Sequence, residues 1–568
     1  MKLHSFCVVL LLSVLLSSCG QGQAPPTLEE ILEAEIPLLM EKAEVPGLSI
    51  AVVKNGEIFW SGAFGVRSTE TKEPVDDETM FEAASITKTV TAAAALKLVE
   101  RGQLDLDTSI FEYIPFPSSA KDERLRKITP RLILTHTTGM PNWGARIIRE
   151  PGTLYGYSGQ GFLFLGQAVE RISGQTLEEF ARKEIFEPLG MMHSSYVWND
   201  LYAANGAIGH DSHGLPQPRR RTTSPNGGAS LLTTSRDYAA FLCAVLNDKV
   251  LEPETIKMML TPHVRAAKWG ETDLDEHIQW GFGWGIQPGT DENAFWHWGN
   301  NMELRGYTVA YKNRKDGLVF FTNSENGFAL AEPLVSLLTP DPQWSMKWLD
   351  WERYDDPLRL ARRSVEGAFL NEGAVAGLER LKTVRSELPD LFSARNLHEL
   401  ASFLSDRGKP EEAAALFREV VGMEPKLIFP RLGLALALLD MEEYGEAERT
   451  FGDALGLASG NRTAQIGKRW AKDLAAVQKN PVLVSLERLQ SYAGAYGPRL
   501  VELRDGDLYY NREGRPEFRL LAISSNTFSL IGYHRFRLRF NSDSEGRVVS
   551  VTGLYIEGRE DKSERTGK

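Results

Sequence analysis

Residues Leu48 to Lys54 (Leu-Ser-Ile-Ala-Val-Val-Lys) and Glu57 to Gly62 (Glu-Ile-Phe-Trp-Ser-Gly) are two β-rich runs separated by Asn55-Gly56. That dipeptide is a strong two-residue hairpin signal, so the folded body opens with sheet. Thr87 to Arg101 reads as an Ala-rich helix closed by Gly102, and Gly161 to Ile172 and Leu177 to Ile185 also read as helical. Tyr307 to Lys312 and Leu318 to Thr322 flank Asn313-Arg314-Lys315-Asp316-Gly317, a second hairpin pattern. Strands at both ends of a helical middle, from about Leu28 to Trp344, predict an α+β domain.

Between Asp355 and Lys479 the chain turns to almost continuous helix formers, and it repeats itself. Leu400, Ala401, Leu404, Ala413 and Phe417 recur 34 positions on as Leu434, Ala435, Leu438, Ala447 and Phe451, and Pro425 closes the first unit. The period resembles the tetratricopeptide signature, which implies paired helices that bury a face only by stacking on neighbours. The helices from Leu358 to Arg385 would cap the array. A protein or peptide partner at these repeats is one expectation, a structural spacer the other. From Leu489 to Glu557 short alternating runs return, such as Phe536-Arg537-Leu538-Arg539-Phe540, with turn signals at Asp505-Gly506 and Glu545-Gly546. Period-two alternation between such turns predicts an antiparallel meander, closing into a small barrel-like domain. The expected plan is multidomain: an α+β domain over 28-345, a helical connector over 346-390, an α-helical repeat segment over 391-480 and a C-terminal antiparallel β domain over 483-560.

Length agrees with several modules, since 568 residues exceed what one hydrophobic core organises. With 42% hydrophobic and 25% charged residues the bulk reads as globular protein. The net charge of -12, with Lys and Arg scattered, offers no stripe for a phosphate backbone, so nucleic acid is not an expected partner. Lys2, the apolar stretch Phe6 to Leu16 and the small residues Ser17-Ser18-Cys19-Gly20 read as an export signal, too short for a membrane span. Leu16-Ser17-Ser18-Cys19 resembles the bacterial lipobox. Residues 1-19 would then be a lipoprotein signal, Cys19 the lipidated first residue and 20-27 a flexible tether. The protein would be exported and held by its lipid on the bacterial cell envelope, periplasmic or outer. Of the other cysteines, Cys7 lies in the signal, and Cys243 reads as a core residue with no base beside it.

Acyl transfer needs a hydroxyl held beside a proton acceptor, and Ser85-Ile86-Thr87-Lys88 supplies both on one face if Ser85 opens the helix. There the helix dipole would favour developing negative charge. A second copy, Ser118-Ser119-Ala120-Lys121, follows the loop Pro115-Phe116-Pro117 and reads as a decoy.

Four segments together resemble the serine β-lactamase, penicillin-binding protein and esterase family, with its penicillin-recognising fold: Phe81 to Lys88, Leu134 to Gly139, Pro151 to Ser158, and His297-Trp298-Gly299. The resemblance covers about Leu28 to Asn326. It implies Ser85 as nucleophile, Lys88 and Tyr157 as proton-transfer partners, and an oxyanion hole at the backbone N–H groups of Ser85 and Asn300, beyond Gly299. Gly159 stands where the family carries an Asn, leaving open whether Gln160 substitutes for it. Tyr311-Lys312-Asn313 completes the second-motif pattern but lies beyond the third motif and is rejected. His297 and Trp298 replace the usual Lys-Thr, and a partly protonated His grips a carboxylate less well, so apolar or ester substrates gain ground. His136 is expected to be a buried, satisfied structural histidine. His193, His210 and His213 lack ligand spacing, so no metal or cofactor is expected. The leading expectation is a serine hydrolase acting on a small-molecule or peptide substrate, as an esterase, D-aminopeptidase, carboxypeptidase or β-lactamase-like enzyme. The alternative is a non-catalytic binding protein of the same fold that docks cell-envelope partners through its repeats.

Overall fold

The computed structural model describes residues 25–118, 121–267, 272–512 and 516–566. The expected signal, Cys7, Cys19 and most of the tether lie outside the described residues, as do Ser119 and Ala120 of the second Ser-x-x-Lys copy. The chain forms two compact units, dividing between Asp356 and Pro357.

The first unit is built on an eight-stranded sheet. In chain order its strands are β1 (Gly47–Lys54), β2 (Glu57–Gly65), β5 (Val264–Arg265), β6 (Gln279–Trp280), β7 (Gly285–Pro288), β8 (Asn293–Asn300), β9 (Arg305–Tyr311) and β10 (Asp316–Thr322); the short strands β3 (Phe81–Glu82) and β4 (Leu232–Thr233) pair separately. The sheet runs β2-β1-β10-β9-β8-β7-β6-β5, so the two expected hairpins meet at its centre, with Leu48 opposite Thr322. Alternation along β1 sends Leu48, Ile50 and Val52 to one core and Ala51 and Val53 to another, so the strand is buried on both faces. The first core takes Leu32, Ile36 and Leu39 from helix Leu28–Ala43, which begins with a capping box between Thr27 and Glu30. The second takes helix Ser235–Leu246 and helix Thr87–Glu100. Every residue of the latter from Thr87 to Leu96 is buried, which explains its run of small side chains: an all-round buried helix needs slim neighbours on every face. Met346 and Trp348 remain in this unit's core.

In the second unit the helices Ala394–Asp406, Pro410–Met423, Ile428–Asp440, Tyr444–Leu457 and Arg462–Lys479 follow Pro357–Asn371 and Ala374–Glu387. A Cβ at Gly433 would collide with the Phe417 ring, and one at Gly467 with the Phe451 ring. The same aromatic-on-glycine contact thus recurs at the interval read from the sequence. Replacing Gly433 by leucine is expected to destabilise this unit by about 1–3 kcal/mol through overpacking, seen as an earlier urea midpoint; an unchanged midpoint would mean that the contact adapts freely.

The eight strands that follow are β11 (Gly494–Tyr496), β12 (Arg499–Arg504), β13 (Asp507–Arg512), β14 (Phe518–Ala522), β15 (Thr527–Leu530), β16 (Tyr533–Ser542), β17 (Val548–Tyr555) and β18 (Glu560–Glu564). Each pairs with the next, antiparallel, and Thr566 N donates to Ala495 O at 2.8 Å, bringing the end back to β11 in a nearly closed barrel. Arg535 pairs with Asp440 and Arg537 with Asp473, both at 2.8 Å, tying the barrel to the helices. The expected α+β body, helical segment and antiparallel β domain are all present.

Candidate active site

Ser85 lies in a 3-10 turn over Ala84–Ile86, and the helix begins only at Thr87. This corrects the expectation that Ser85 opens the helix: the residue before Thr87 is Ile86, already helical and without a side-chain cap. The turn starts at Ala84, whose φ of 49° is left-handed, a conformation costing an L-residue roughly 1–2 kcal/mol. His136 (56°) and Met302 (62°), near the same site, are also left-handed. Such strain persists only where the surroundings impose it. Here Ala83 N donates to Leu231 O at 2.8 Å, Leu231 N donates to Thr87 Oγ1 at 3.0 Å, and Thr87 Oγ1 donates to Ala84 O.

The three-residue spacing brings Lys88 Nζ to 3.0 Å from Oγ of the partly exposed Ser85, and Nζ donates to Gly228 O at 2.7 Å. Lys88 itself is fully buried, and desolvation takes its pKa down from 10.5 to about 7. Gly228 was not singled out from the sequence, although Asn226-Gly227-Gly228 is a string that signals close backbone approach. Its neighbour Gly227 is held by Thr91 Oγ1, which donates to Gly227 O at 2.8 Å. A carbonyl therefore holds the lysine where the family uses an amide. Gln160 does not substitute, because its Oε1 accepts from Gly144 N at 3.1 Å.

Tyr157 immediately precedes Ser158, the cap of helix Gly159–Ser173. Its ring centroid is 4.8 Å from Lys88 Nζ and 4.8 Å from the Trp298 ring. Burial pushes the hydroxyl pKa well above its usual value, opposed by the neighbouring Ser85 side chain. The hydroxyl has no partner in good hydrogen-bonding geometry among the described residues, so Ser85 is near but not bonded to it.

His136 accepts at Nδ1 from Ser158 N at 3.1 Å, which puts the proton of the neutral ring on Nε2. Nε2 is buried with no partner among the described residues, so this histidine is structural but only half satisfied, contrary to expectation. Burial foremost, then the nearby Lys88 and His297, hold its pKa well below the usual range.

His297 sits on β8, fully buried, with Nδ1 2.8 Å from Trp298 O. Burial foremost, then Lys88, brings its pKa down to about 3. It is neutral at physiological pH, not partly protonated as the sequence suggested, and this motif carries no positive charge there. A Cβ at Gly299 would collide with Ala83 O, so only glycine lets the end of β8 close onto the turn that carries Ser85. Asn300 follows, exposed at the strand end, with its Oδ1 accepting from Met302 N at 3.0 Å. Asn301 Nδ2 donates to Glu82 Oε2 at 2.6 Å, joining the strand end to β3 just ahead of Ser85. Neither Glu82 nor Asn301 was visible as a site residue in sequence.

Of the other sequence candidates, Lys312 donates to Val245 O and Leu246 O at 3.0 and 2.8 Å and pairs with Asp248, so it caps a helix C-terminus. Cys243 is partly buried, and desolvation pushes its thiol up to about 11.

Residues 32–337 match the protein family described as Beta-lactamase. Protein flp of Staphylococcus aureus (strain MRSA252) is 26% identical over 351 residues, covering 56% of this chain and 68% of flp. Penicillin-binding protein 4 of Amycolatopsis lactamdurans is 26% identical over 280 residues, covering 44% of this chain and 73% of that protein. A solved octameric penicillin-binding protein homologue from Pyrococcus abyssi has 18% identity and a TM-score of 0.48, covering 94% of this chain and 99% of that chain.

Proposed function

Because the chain belongs to the Beta-lactamase family, we propose that it is a serine hydrolase that cleaves an ester or amide bond through an acyl-enzyme on Ser85. One observation carries this reading: the oxygen of a partly exposed serine lies 3.0 Å from a lysine whose burial leaves it half neutral near pH 7. Neutral Lys88 accepts the Ser85 proton as Oγ attacks the carbonyl carbon. The oxygen of the tetrahedral species is met by the N–H groups of Ser85 and Asn300, with Gly299 allowing the two chain segments to approach. Tyr157, kept protonated by its burial, donates to the leaving group and is reprotonated from Lys88. Water then adds to the acyl-enzyme and restores Ser85.

The neutral His297 gives no grip on a substrate carboxylate, which favours esters over carboxylate-bearing lactams and D-peptides. Export and lipid anchoring at Cys19, and a partner at tetratricopeptide-like repeats, belong to the same reading of an envelope enzyme. Gly159 in place of the family's amide favours the alternative, a binding protein without turnover.

The test is intact mass after incubation with a fluorophosphonate and, separately, a penicillin. A fluorophosphonate adduct mapping to Ser85 would support the hydrolase, and a penicillin adduct would extend it to lactams; no adduct with either would favour the binding protein. Tyr157→Phe is expected to lower kcat for a p-nitrophenyl ester about 100-fold with little change in KM, since its proton moves only in the transition state. An equal fall in the affinity for substrate would instead assign Tyr157 to binding.

A further inference from the structure

We infer that Trp143 is a specificity-determining residue of this site, forming an apolar wall for the acyl group of the substrate; this rests on the hydrolase reading above. A Cβ at Gly159 would lie 2.9 and 3.0 Å from Cη2 and Cζ2 of Trp143, so the indole occupies the space that a side chain at 159 would fill. On another side Gly159 meets Gly228: a Cβ there would lie 3.0 Å from Gly159 O and 3.4 Å from Gly159 Cα. Gly228 O in turn holds Lys88. The indole is therefore separated from the catalytic lysine's support by a single glycine.

Trp143 is also fixed from both neighbours. Asn142 Oδ1 accepts from Gly159 N and Asn142 O from Gln160 N, both at 2.8 Å, while Gly144 N donates to Gln160 Oε1 at 3.1 Å. Ser158 Oγ donates to Pro141 O at 2.9 Å. These bonds hold residues 141–144 on the first turn of helix Gly159–Ser173, yet Trp143 is 49% exposed. A large apolar ring packed on Gly159 by an anchored loop, half exposed and one glycine away from the carbonyl that holds Lys88, is suited to cover apolar substrate surface. The leaving group lies by the Tyr157 hydroxyl, whose ring is covered by Trp298. The Gly159–Gly228 flank remains for the acyl part, and Trp143 offers it a ring with no charge and one N–H. Esters of medium-chain or aromatic acids fit this wall better than acetyl esters.

The experiment compares kcat/KM for p-nitrophenyl hexanoate and p-nitrophenyl acetate in the full protein, Trp143→Ala and Trp143→Phe, with thermal melting to check the fold. Wild type is expected to favour hexanoate, Trp143→Ala to lose about tenfold of that preference with acetate hydrolysis held within about threefold, and Trp143→Phe to retain most of it. An unchanged preference in Trp143→Ala would overturn the wall, as would an equal loss on both esters, which would make the loop mere scaffolding. If wild type hydrolyses neither ester and no adduct forms on Ser85, the hydrolase reading fails and the wall falls with it; adduct formation with unchanged selectivity sinks the wall alone.

Discussion

Ser85→Ala is expected to reduce ester turnover by about 10⁴-fold or more and to abolish the covalent adduct. The size follows from the role proposed for the serine: without Oγ no acyl-enzyme can form, and the proposed oxyanion donors and substrate wall can then only assist attack by water. Because Ser85 is partly exposed and its neighbours are clamped by backbone bonds to Leu231, the variant should keep its fold. Thermal melting separates lost chemistry from lost structure. Undiminished turnover in a folded Ser85→Ala protein would refute the acyl-enzyme outright.

Lys88 carries the second large effect, in two directions. Only the neutral amine can take the serine proton, so with a folded pKa of about 7, kcat/KM should rise about tenfold per pH unit below 7 and level off above it. Lys88→Arg remains charged throughout this range and is expected to lose about 10³-fold. A flat profile in wild type between pH 5 and 8 would remove Lys88 as the base. Stability should also rise with pH, but in a higher window than function. The folded pKa lies below the unfolded value, so between about 7 and 10.5 the unfolded chain binds the extra proton and stability rises with pH. Below pH 7 the cost of burying the charge is fully present. Lys88→Met removes it, and is expected to melt higher than wild type at pH 6, with the gap shrinking toward pH 10. The gain is on the order of 5 kcal/mol before the lost bonds to Ser85 and Gly228 are counted. A lower melting temperature at pH 6 would mean that those bonds outweigh desolvation.

Much of this architecture is legible along the chain because it rests on short-range periodicity. The Asn55-Gly56 hairpin, the buried helix after Ser85 and the repeat that sets Phe417 on Gly433 and Phe451 on Gly467 each follow from residues near one another in sequence. The pairing of Ser85 with Lys88 is of this kind, since three residues of helical or 3-10 turn return a side chain to the same face. The family motifs added Tyr157 and the strand end at Gly299 by resemblance, without supplying their surroundings.

Those surroundings came only with the tertiary structure. The lysine's second partner is a backbone carbonyl at Gly228, which has no side chain to advertise it and lies 140 residues away. The left-handed Ala84 is imposed by Leu231 and Thr87, not by any preference of alanine. The Trp143 indole can pack where it does only because residue 159 lacks a Cβ. The charge states belong here too: His297 reads in sequence as a partly protonated group, but complete burial beside Lys88 makes it neutral. The sequence by itself determined which chemical groups the chain carries and the local elements that hold them, because periodicity and spacing act over a few residues. Desolvation, backbone partners and strain are properties of what surrounds a group, and distant parts of the chain supply that only when it folds.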